Sequence, residues 1–212
     1  MMNIKDKLIV SIINESFEKI LEFANIYKKI ELCLSKLNLT NEEIFQVIKC
    51  AELVVIKDIT ELDDTNNFHK ISFNNEQLKK IFIDCPFEKI DNKNLIKYIK
   101  EPNIKKILSY HNWSKFKKNE NIFSYLLEKL EIKISKYSIV KIAVLVENID
   151  ELNILFSLFA KYPNINFILI PLGKKFQKNR ITSLELGSKY MFCYINNPVT
   201  DCQLHYDDYF CI

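Results

Sequence analysis

The chain has 212 residues, 48% of them hydrophobic and 27% charged, which is enough to bury a sizeable core and predicts one domain over residues 1–212. A formal net charge of +3 is too small to indicate a nucleic-acid partner, and no apolar run approaches the roughly 20 residues of a membrane span. The first ten residues carry charges where a signal peptide has an apolar stretch, so we expect a cytoplasmic protein that makes no membrane contact.

Eight short apolar runs, most of them rich in β-branched or aromatic residues, are typical of buried parallel strands. In chain order they cover residues 8–12, 30–34, 53–57, 87–91, 106–110, 140–144, 167–171 and 191–195. Helical periodicity is found in residues 15–27, 74–83, 92–99, 122–130 and 148–161, and a capping-box-like sequence opens another helix at Thr40. Residues 58–70 show no clear element. This alternation predicts a compact parallel (β/α)₈ barrel, and an open doubly wound sheet is the alternative.

The scarce residue types exclude several kinds of site. The only two glycines are Gly173 and Gly187, so no glycine-rich phosphate-binding loop is present. The six cysteines form no C-x-x-C pair and no zinc-like spacing, and most lie in apolar stretches. We therefore expect reduced thiols, no metal site and no nucleotide cofactor.

A lysine stands in the middle of the sixth predicted strand, in Ser-Ile-Val-Lys-Ile-Ala-Val at residues 138–144. A buried ammonium is costly, so Lys141 should be paired with an acid or have a lowered pKa. A lysine with a lowered pKa is nucleophilic at neutral pH and can form an imine with a ketone. The alternative is a strand-end lysine whose amine reaches solvent.

A histidine follows the fifth predicted strand, in Lys-Ile-Leu-Ser-Tyr-His-Asn-Trp at residues 106–113. In a barrel this is the carboxyl-terminal mouth, where catalytic groups collect. His111 and Lys141 would lie on neighbouring strands, so their side chains could meet. A histidine there can act as a general acid and base near neutral pH. The alternative is a loop histidine without a role.

Two further charged residues stand out. Arg180 is the single arginine among 30 basic residues, which indicates a position that needs a planar fork, such as bidentate binding of a carboxylate. Glu31 lies inside the second apolar strand on the same face as Cys33, and a buried carboxylate needs a partner. The alternatives are chance retention of the arginine and simple pairing of Glu31 with a core lysine.

Together these segments resemble the type I 3-dehydroquinate dehydratases over most of the chain. Three blocks of that family occur in order: Ser-Tyr-His-Asn at 109–112, Lys-Ile-Ala-Val at 141–144 and Asn-Arg-Ile…Gly-Ser at 179–188. Gln203 stands where the family has the glutamine of its closing loop, and Trp113 and both glycines also fall on family-like positions. The resemblance implies a (β/α)₈ barrel that converts 3-dehydroquinate to 3-dehydroshikimate and water, in the shikimate pathway of aromatic amino acid biosynthesis.

The resemblance implies the chemistry of two residues in particular. Lys141 would form a Schiff base with the ketone of the substrate. His111 would remove the adjacent proton and then help the hydroxyl group leave as water. The imine withdraws electrons and acidifies the neighbouring C–H, so a base no stronger than imidazole suffices and no cofactor is needed.

The other implied roles concern substrate binding. Arg180 and Gln203 would hold the carboxylate of the substrate, and Glu31 would contact its hydroxyl groups. Lys57 and Glu61 keep the four-residue spacing of the family's third-strand arginine and of the glutamate that orients the histidine. Barrels of this family are often dimers, so a homodimer is also implied.

Three departures from the family pattern affect substrate positioning. Cys33 replaces the arginine of the second strand, Val199 replaces a serine of the closing loop, and residues 58–64 replace a glycine-bearing stretch. We therefore expect retained activity with a weaker substrate affinity. One alternative is a barrel that binds a small carboxylate or a partner protein without turnover. Another is a different Schiff-base lyase or an aldolase acting on a phosphorylated sugar, but the scarcity of glycine near the last two strands disfavours a phosphate site.

Overall fold

The computed structural model describes residues 3–59, 75–89, 92, 95, 103–115 and 138–211. Eight parallel strands form one sheet in the order β7-β6-β5-β4-β3-β2-β1-β8. They are β1 (Leu8–Ile12), β2 (Lys29–Cys33), β3 (Leu53–Lys57), β4 (Ile81–Pro86), β5 (Lys105–Lys115), β6 (Ile139–Leu145), β7 (Phe167–Leu172) and β8 (Met191–Cys193). The described helices are α1 (Phe17–Tyr27), α2 (Asn41–Cys50), α3 (Asn75–Leu78), α4 (Ile149–Lys161) and α5 (Asn179–Leu186).

The sheet is curled into a nearly closed barrel, as predicted. Strand β1 pairs with both β2 and β8, which brings the last strand of the chain beside the first. Strands β7 and β8, both fully described, share no backbone ladder. At their amino-terminal ends, however, the Lys189 N–H donates to Phe167 O at 2.7 Å. The consecutive strand order rules out the doubly wound alternative, whose order reverses at a switch point.

Helix starts follow local capping chemistry. The capping box predicted at Thr40 is confirmed: its side chain accepts from the Glu43 N–H at 3.2 Å, while Glu43 Oε2 accepts from the Thr40 N–H at 2.7 Å. Asn148 caps α4 by accepting from the Glu151 N–H at 3.0 Å. None of the helices in the described ranges is long and apolar enough to cross a membrane.

The fourth strand corrects the sequence-based prediction. A strand was expected at residues 87–91, whereas β4 runs over Ile81–Pro86 and a 3₁₀ turn follows at Phe87–Lys89. The helix predicted at 74–83 is reduced to α3, since its last apolar residues belong to the strand. A short apolar run does not distinguish a helix from a strand by periodicity alone. The predicted helix at 122–130 and most of that at 92–99 lie outside the described residues.

Strand register brings the polar side chains of the barrel together. Ser11 on β1 is paired with Glu31 on β2, and Ser109 on β5 is paired with Lys141 on β6. Partners in a ladder point to the same side of the sheet. Both pairs are buried although their side chains are polar, so the interior of the barrel contains a polar cluster.

Candidate active site

A pocket lies where the strands end and the loops after β7 and β8 begin. Its empty volume is about 410 Å³, part of which is open to solvent. Six of the seven predicted site residues line it: Glu31, Lys57, His111, Lys141, Arg180 and Gln203. The seventh, Glu61, lies outside the described residues. Residues chosen from six separate sequence segments therefore converge on one cavity.

Lys141 is buried and paired, so its amine does not reach solvent. Its Nζ donates to Asp84 Oδ2 at 2.9 Å and lies 3.5 Å from Glu31 Oε1. The ring centroid of Phe192 is 4.1 Å from the same nitrogen, a cation–π distance. Burial alone would lower the pKa of Lys141, but the charges of Asp84 and then Glu31 raise it above its usual value. Of the two expectations for a buried lysine, pairing is confirmed and a lowered pKa is wrong.

Asp84 was not anticipated from the sequence. It stands on β4, is 1% exposed, and accepts a hydrogen bond from Ser109 Oγ through its second oxygen. Burial would raise the pKa of this carboxyl group. The positive charge of Lys141, the proximity of His111 and both hydrogen bonds outweigh burial and lower the pKa below its usual value. Asp84 is therefore a carboxylate at neutral pH.

His111 lies on β5 itself, because that strand extends beyond the predicted end at residue 110. Burial and then the positive charge of Lys141 lower the pKa of His111 to about 3, although Asp84 acts in the opposite direction. The imidazole is therefore neutral across the physiological range. A neutral imidazole can accept a proton, which is the state that a general base requires.

Glu31 uses its two oxygens differently. Its Oε2 accepts a hydrogen bond from Ser11 Oγ at 2.8 Å, and Cys33 Sγ lies 3.9 Å from the same oxygen. Its Oε1 faces Lys141 at ion-pair distance but accepts no hydrogen bond from any residue that the structure describes. That oxygen can accept a hydroxyl donor from a bound ligand. The expected pairing of Glu31 with a core lysine is also present.

Lys57 supplies positive charge at the end of β3, next to the cysteine that replaces the family arginine. Burial would lower the pKa of Lys57, but Glu31 and then Cys33, with smaller effects of Asp84 and Asp58, raise it well above its usual value. Burial and then the charge of Glu31 raise the pKa of Cys33 far above its usual value, so its thiol stays protonated. Among the described residues, the cation at this end of the pocket is therefore Lys57.

Arg180 lies in the first turn of α5, directly after the loop that follows β7. Its Nε donates to Pro171 O at 3.5 Å, and its Nη2 is 3.6 Å from Cys202 Sγ. Neither partner is a carboxylate, so neither neutralises the charge of the guanidinium. A buried arginine with such weak partners is suited to an anionic ligand.

Gln203 is buried on the loop after β8. Its Oε1 accepts from the Val199 N–H at 2.8 Å, and its Nε2 donates to Ser11 Oγ at 3.0 Å. The residue at the family's serine position therefore contributes a backbone contact to the glutamine, although its side chain is apolar. Hydrogen bonds run from this loop through Ser11 to Glu31, whose other oxygen faces Lys141.

Most of the chain matches the sequence model of one protein family. The sequence model described as Type I 3-dehydroquinase matches residues 63–208, more than two thirds of the protein. The chain belongs to the type I 3-dehydroquinase family. This confirms the resemblance inferred from the three sequence blocks. No curated protein sequence matches the chain.

Solved 3-dehydroquinate dehydratases share the barrel. The 3-dehydroquinate dehydratase of Aquifex aeolicus VF5 superposes with a TM-score of 0.73 at 18% identity, over 96% of this chain and 95% of that one. The type I enzyme of Clostridium difficile gives 0.68 at 18% identity, over 96% and 89%. The Enterococcus faecalis enzyme gives 0.65 at 19% identity, over 88% of each chain. At these identities the likeness shows a common fold.

Within this type I 3-dehydroquinase, sequence reasoning missed two residues that line the pocket, Ser11 and Phe192, and two buried residues behind it, Asp84 and Ser109. Asp84 and Ser109 are hydrogen-bonded to each other beside Lys141. Ser11 is hydrogen-bonded to both Glu31 and Gln203, and the ring of Phe192 packs on the amine of Lys141. Asp84 carried the same signal as Glu31, an acid inside an apolar strand. It was overlooked because β4 was predicted too far along the chain.

Proposed function

We propose that the protein is a 3-dehydroquinate dehydratase that works through a Schiff base on Lys141. One observation carries the proposal: the buried amine of Lys141 shares a pocket with the neutral imidazole of His111. A nucleophilic amine and a general base are the two groups that this reaction needs. Membership of the type I 3-dehydroquinase family supplies the substrate and the reaction class.

In the proposed reaction, the amine of Lys141 adds to the substrate ketone and the carbinolamine loses water, which gives a protonated imine. His111 takes a proton from the carbon next to the imine. The electron pair forms a C=C bond while the β-hydroxyl leaves, and His111 returns its proton to that hydroxyl as water. Hydrolysis of the imine consumes one water and frees Lys141, so the cycle removes one water molecule overall.

The other polar side chains of the pocket match the carboxylate and hydroxyl groups of the substrate. We assign the carboxylate of 3-dehydroquinate to Arg180 and Gln203. Neither hydrogen-bond partner of the guanidinium, Pro171 O or Cys202 Sγ, is a carboxylate, and the glutamine lies on the adjacent loop. We assign a hydroxyl group to Glu31, whose Oε1 has an open acceptor position. Lys57 adds a second positive charge near Glu31.

The test uses purified protein and 3-dehydroquinate, with the ultraviolet absorbance of the conjugated product as the readout. Lys141→Ala should abolish product formation. Lys161→Ala is the matched control, since Lys161 is an exposed lysine at the end of α4. Borohydride added during turnover should attach the reduced substrate to the peptide that contains Lys141. A wild-type protein with neither product nor adduct would refute the proposal.

A second candidate is a barrel that binds a small carboxylate without turnover. Cys33 favours it, because a buried neutral thiol stands where the family has a cation. This candidate predicts that 3-dehydroquinate raises the melting temperature while no product forms.

The assembly and the location are finer parts of the proposal. The proposal of a homodimer rests on the family resemblance, because barrels of this family are often dimers. The molar mass from light scattering after size-exclusion chromatography tests it. The cytoplasmic location and the lack of a nucleic-acid partner stay predictions.

A further inference from the structure

Asp84 is the acidic group nearest to the Lys141 amine among the described residues. We propose that Asp84 takes a proton from Lys141 before the amine attacks the ketone, and returns it when the carbinolamine loses water. The inference rests on the proposed Schiff-base function, and it assigns a proton carrier to a step for which the sequence offered none.

The geometry singles out Asp84 as the acceptor. Its Oδ2 receives a hydrogen bond from Nζ at 2.9 Å, whereas Glu31 Oε1 is 3.5 Å away and forms no hydrogen bond with the amine. Ser109 Oγ holds the other oxygen of Asp84, which fixes the carboxylate toward β6. Proton transfer along an existing short hydrogen bond requires no side-chain movement.

The step balances in atoms and charge. An ammonium has no lone pair, so Lys141 must lose one proton before it can form the C–N bond. Transfer to Asp84 leaves a neutral amine beside a neutral carboxylic acid. The amine adds to the carbonyl carbon, and one of its protons moves to the former carbonyl oxygen to give the carbinolamine.

The proton that Asp84 took from Lys141 is used in the second half of the step, the loss of water from the carbinolamine. Asp84 gives it to the carbinolamine hydroxyl, which leaves as water while the nitrogen lone pair forms the C=N bond. The product is a protonated imine beside a restored carboxylate. Its positive charge replaces that of the original ammonium, so the buried site holds the same net charge before and after the step. Burying a new net charge would be costly, and this route avoids it.

The charges around the Lys141 amine determine the pH at which it loses its proton. Among the described residues, the charged and titratable groups near Lys141 are Glu31, Cys33, Lys57, Asp84 and His111. Glu31 and Asp84 favour the ammonium, and Lys57 opposes it. His111 is the competing proton acceptor, but in the proposed reaction it removes the carbon-bound proton.

The decisive variant is Asp84→Asn, which keeps the size of the side chain and can still accept from Ser109. In rapid-quench borohydride trapping, the rate of adduct formation should fall by about 100-fold or more, as for loss of a general acid–base group. KM should change much less, because Asp84 is assigned to the amine and not to the substrate. The wild-type trapping rate should be nearly independent of pH around neutrality, whereas that of the variant should rise with pH as free amine accumulates.

A substrate-free readout accompanies the kinetics. The pH dependence of Lys141 modification by a small neutral acylating reagent, followed by peptide mass spectrometry, reports the titration of the amine. Its midpoint should fall in Asp84→Asn, because the nearest negative charge is lost. Asp150→Asn, an exposed acid of α4, is the control and should leave both readouts unchanged.

The outcomes separate the two proposals. Wild-type trapping with an equally fast Asp84→Asn and an unchanged pH profile would overturn the role of Asp84 alone. Absence of any wild-type adduct would overturn the dehydratase proposal and the proton carrier together. If Asp84→Asn does not fold, Ser109→Ala keeps the carboxylate and removes its hydrogen-bond donor. That variant should still slow trapping several-fold with little change in KM, and a wild-type rate there would contradict the proposal.

Discussion

Gln203 Nε2 donates a hydrogen bond to Ser11 Oγ at 3.0 Å, so the loop after β8 is tied to the first strand of the barrel. The same hydroxyl donates to Glu31 Oε2 at 2.8 Å. A serine hydroxyl has one proton and two lone pairs, so it can make both bonds at once. Ser11 therefore connects two residues that we assign to different polar groups of one substrate.

Ser11→Ala should weaken both connections. Glu31 Oε2 and Gln203 Nε2 would each lose a buried partner, so we expect the free energy of unfolding to fall by about 1–3 kcal/mol. KM should rise by roughly 10-fold, which corresponds to about 1.4 kcal/mol, with a smaller change in kcat. Urea unfolding and steady-state kinetics measure the two effects. Ser157→Ala on the exposed face of α4 is the control, and an equal response there would contradict the assignment.

Activity should show no transition at the pKa of ordinary histidine. The pKa of His111 is lowered to about 3 by burial and by Lys141, so the base stays neutral throughout the weakly acidic range. We expect kcat/KM to stay nearly constant as the pH falls from 8 to about 5. A rate profile at constant ionic strength measures this. An acidic limb centred near 6.5 would mean that His111 is not the group that must be deprotonated.

Stability should depend on pH through the same histidine. In the unfolded chain His111 has its usual pKa of 6.5, so between pH 6.5 and about 3 the unfolded state binds a proton that the folded state does not. Protonation then favours unfolding, and the free energy of unfolding should decrease as the pH falls through this window. Chemical unfolding at several pH values tests it. His111→Asn should flatten the slope, whereas an unchanged slope would refute the expectation.

Lys57 should matter for binding more than for chemistry. Lys57→Met keeps most of the length of the side chain and removes its charge, so we expect KM to rise by about 10-fold or more and kcat to fall less. Lys57→Arg should recover most of the affinity. Steady-state kinetics of the three proteins give the comparison. A loss in kcat alone would place Lys57 in the chemical step.

Arg180 should not be replaceable by the lysine that dominates the rest of the chain. Arg180→Lys keeps the charge but loses the planar fork, so we expect KM to rise by roughly 10- to 100-fold, or about 1.4–3 kcal/mol. Lys178→Arg, a change at an exposed lysine two residues away, provides the control. Equal KM values for wild type and Arg180→Lys would show that no bidentate contact exists.

Much of this arrangement could be predicted from single residues that conflict with their surroundings. A lysine in β6 and a glutamate in β2 each interrupt an apolar strand, and such residues are expected at sites of chemistry or pairing. Strands β1 and β3 were predicted with their observed bounds, because each is a nearly continuous apolar run of strand length. That the whole chain forms one domain stays a prediction.

The sequence could not identify partners that meet across strands. Asp84 lies 57 residues from Lys141 along the chain, and only the barrel register brings them together. Helix α5 was not predicted, since neither a capping side chain nor a clear apolar face marks its start. The raised pKa of Lys141 was missed for the same reason: the sign of a shift depends on which charges lie within a few ångströms.

The barrel is not closed by a backbone ladder between β7 and β8, and the pocket lies beside this gap. Near their amino-terminal ends the two strands are joined by the Lys189–Phe167 bond and by Ser188 Oγ, which accepts from the Leu169 N–H at 2.9 Å. Toward the mouth these two strands have no ladder, and Arg180 follows one strand while Gln203 follows the other. A carboxylate bound by both side chains would link the edges of β7 and β8, which have no ladder partner among the described residues. Bound substrate would then close the barrel between β7 and β8. Hydrogen exchange of the β8 backbone amides should therefore be slower with substrate bound than without it.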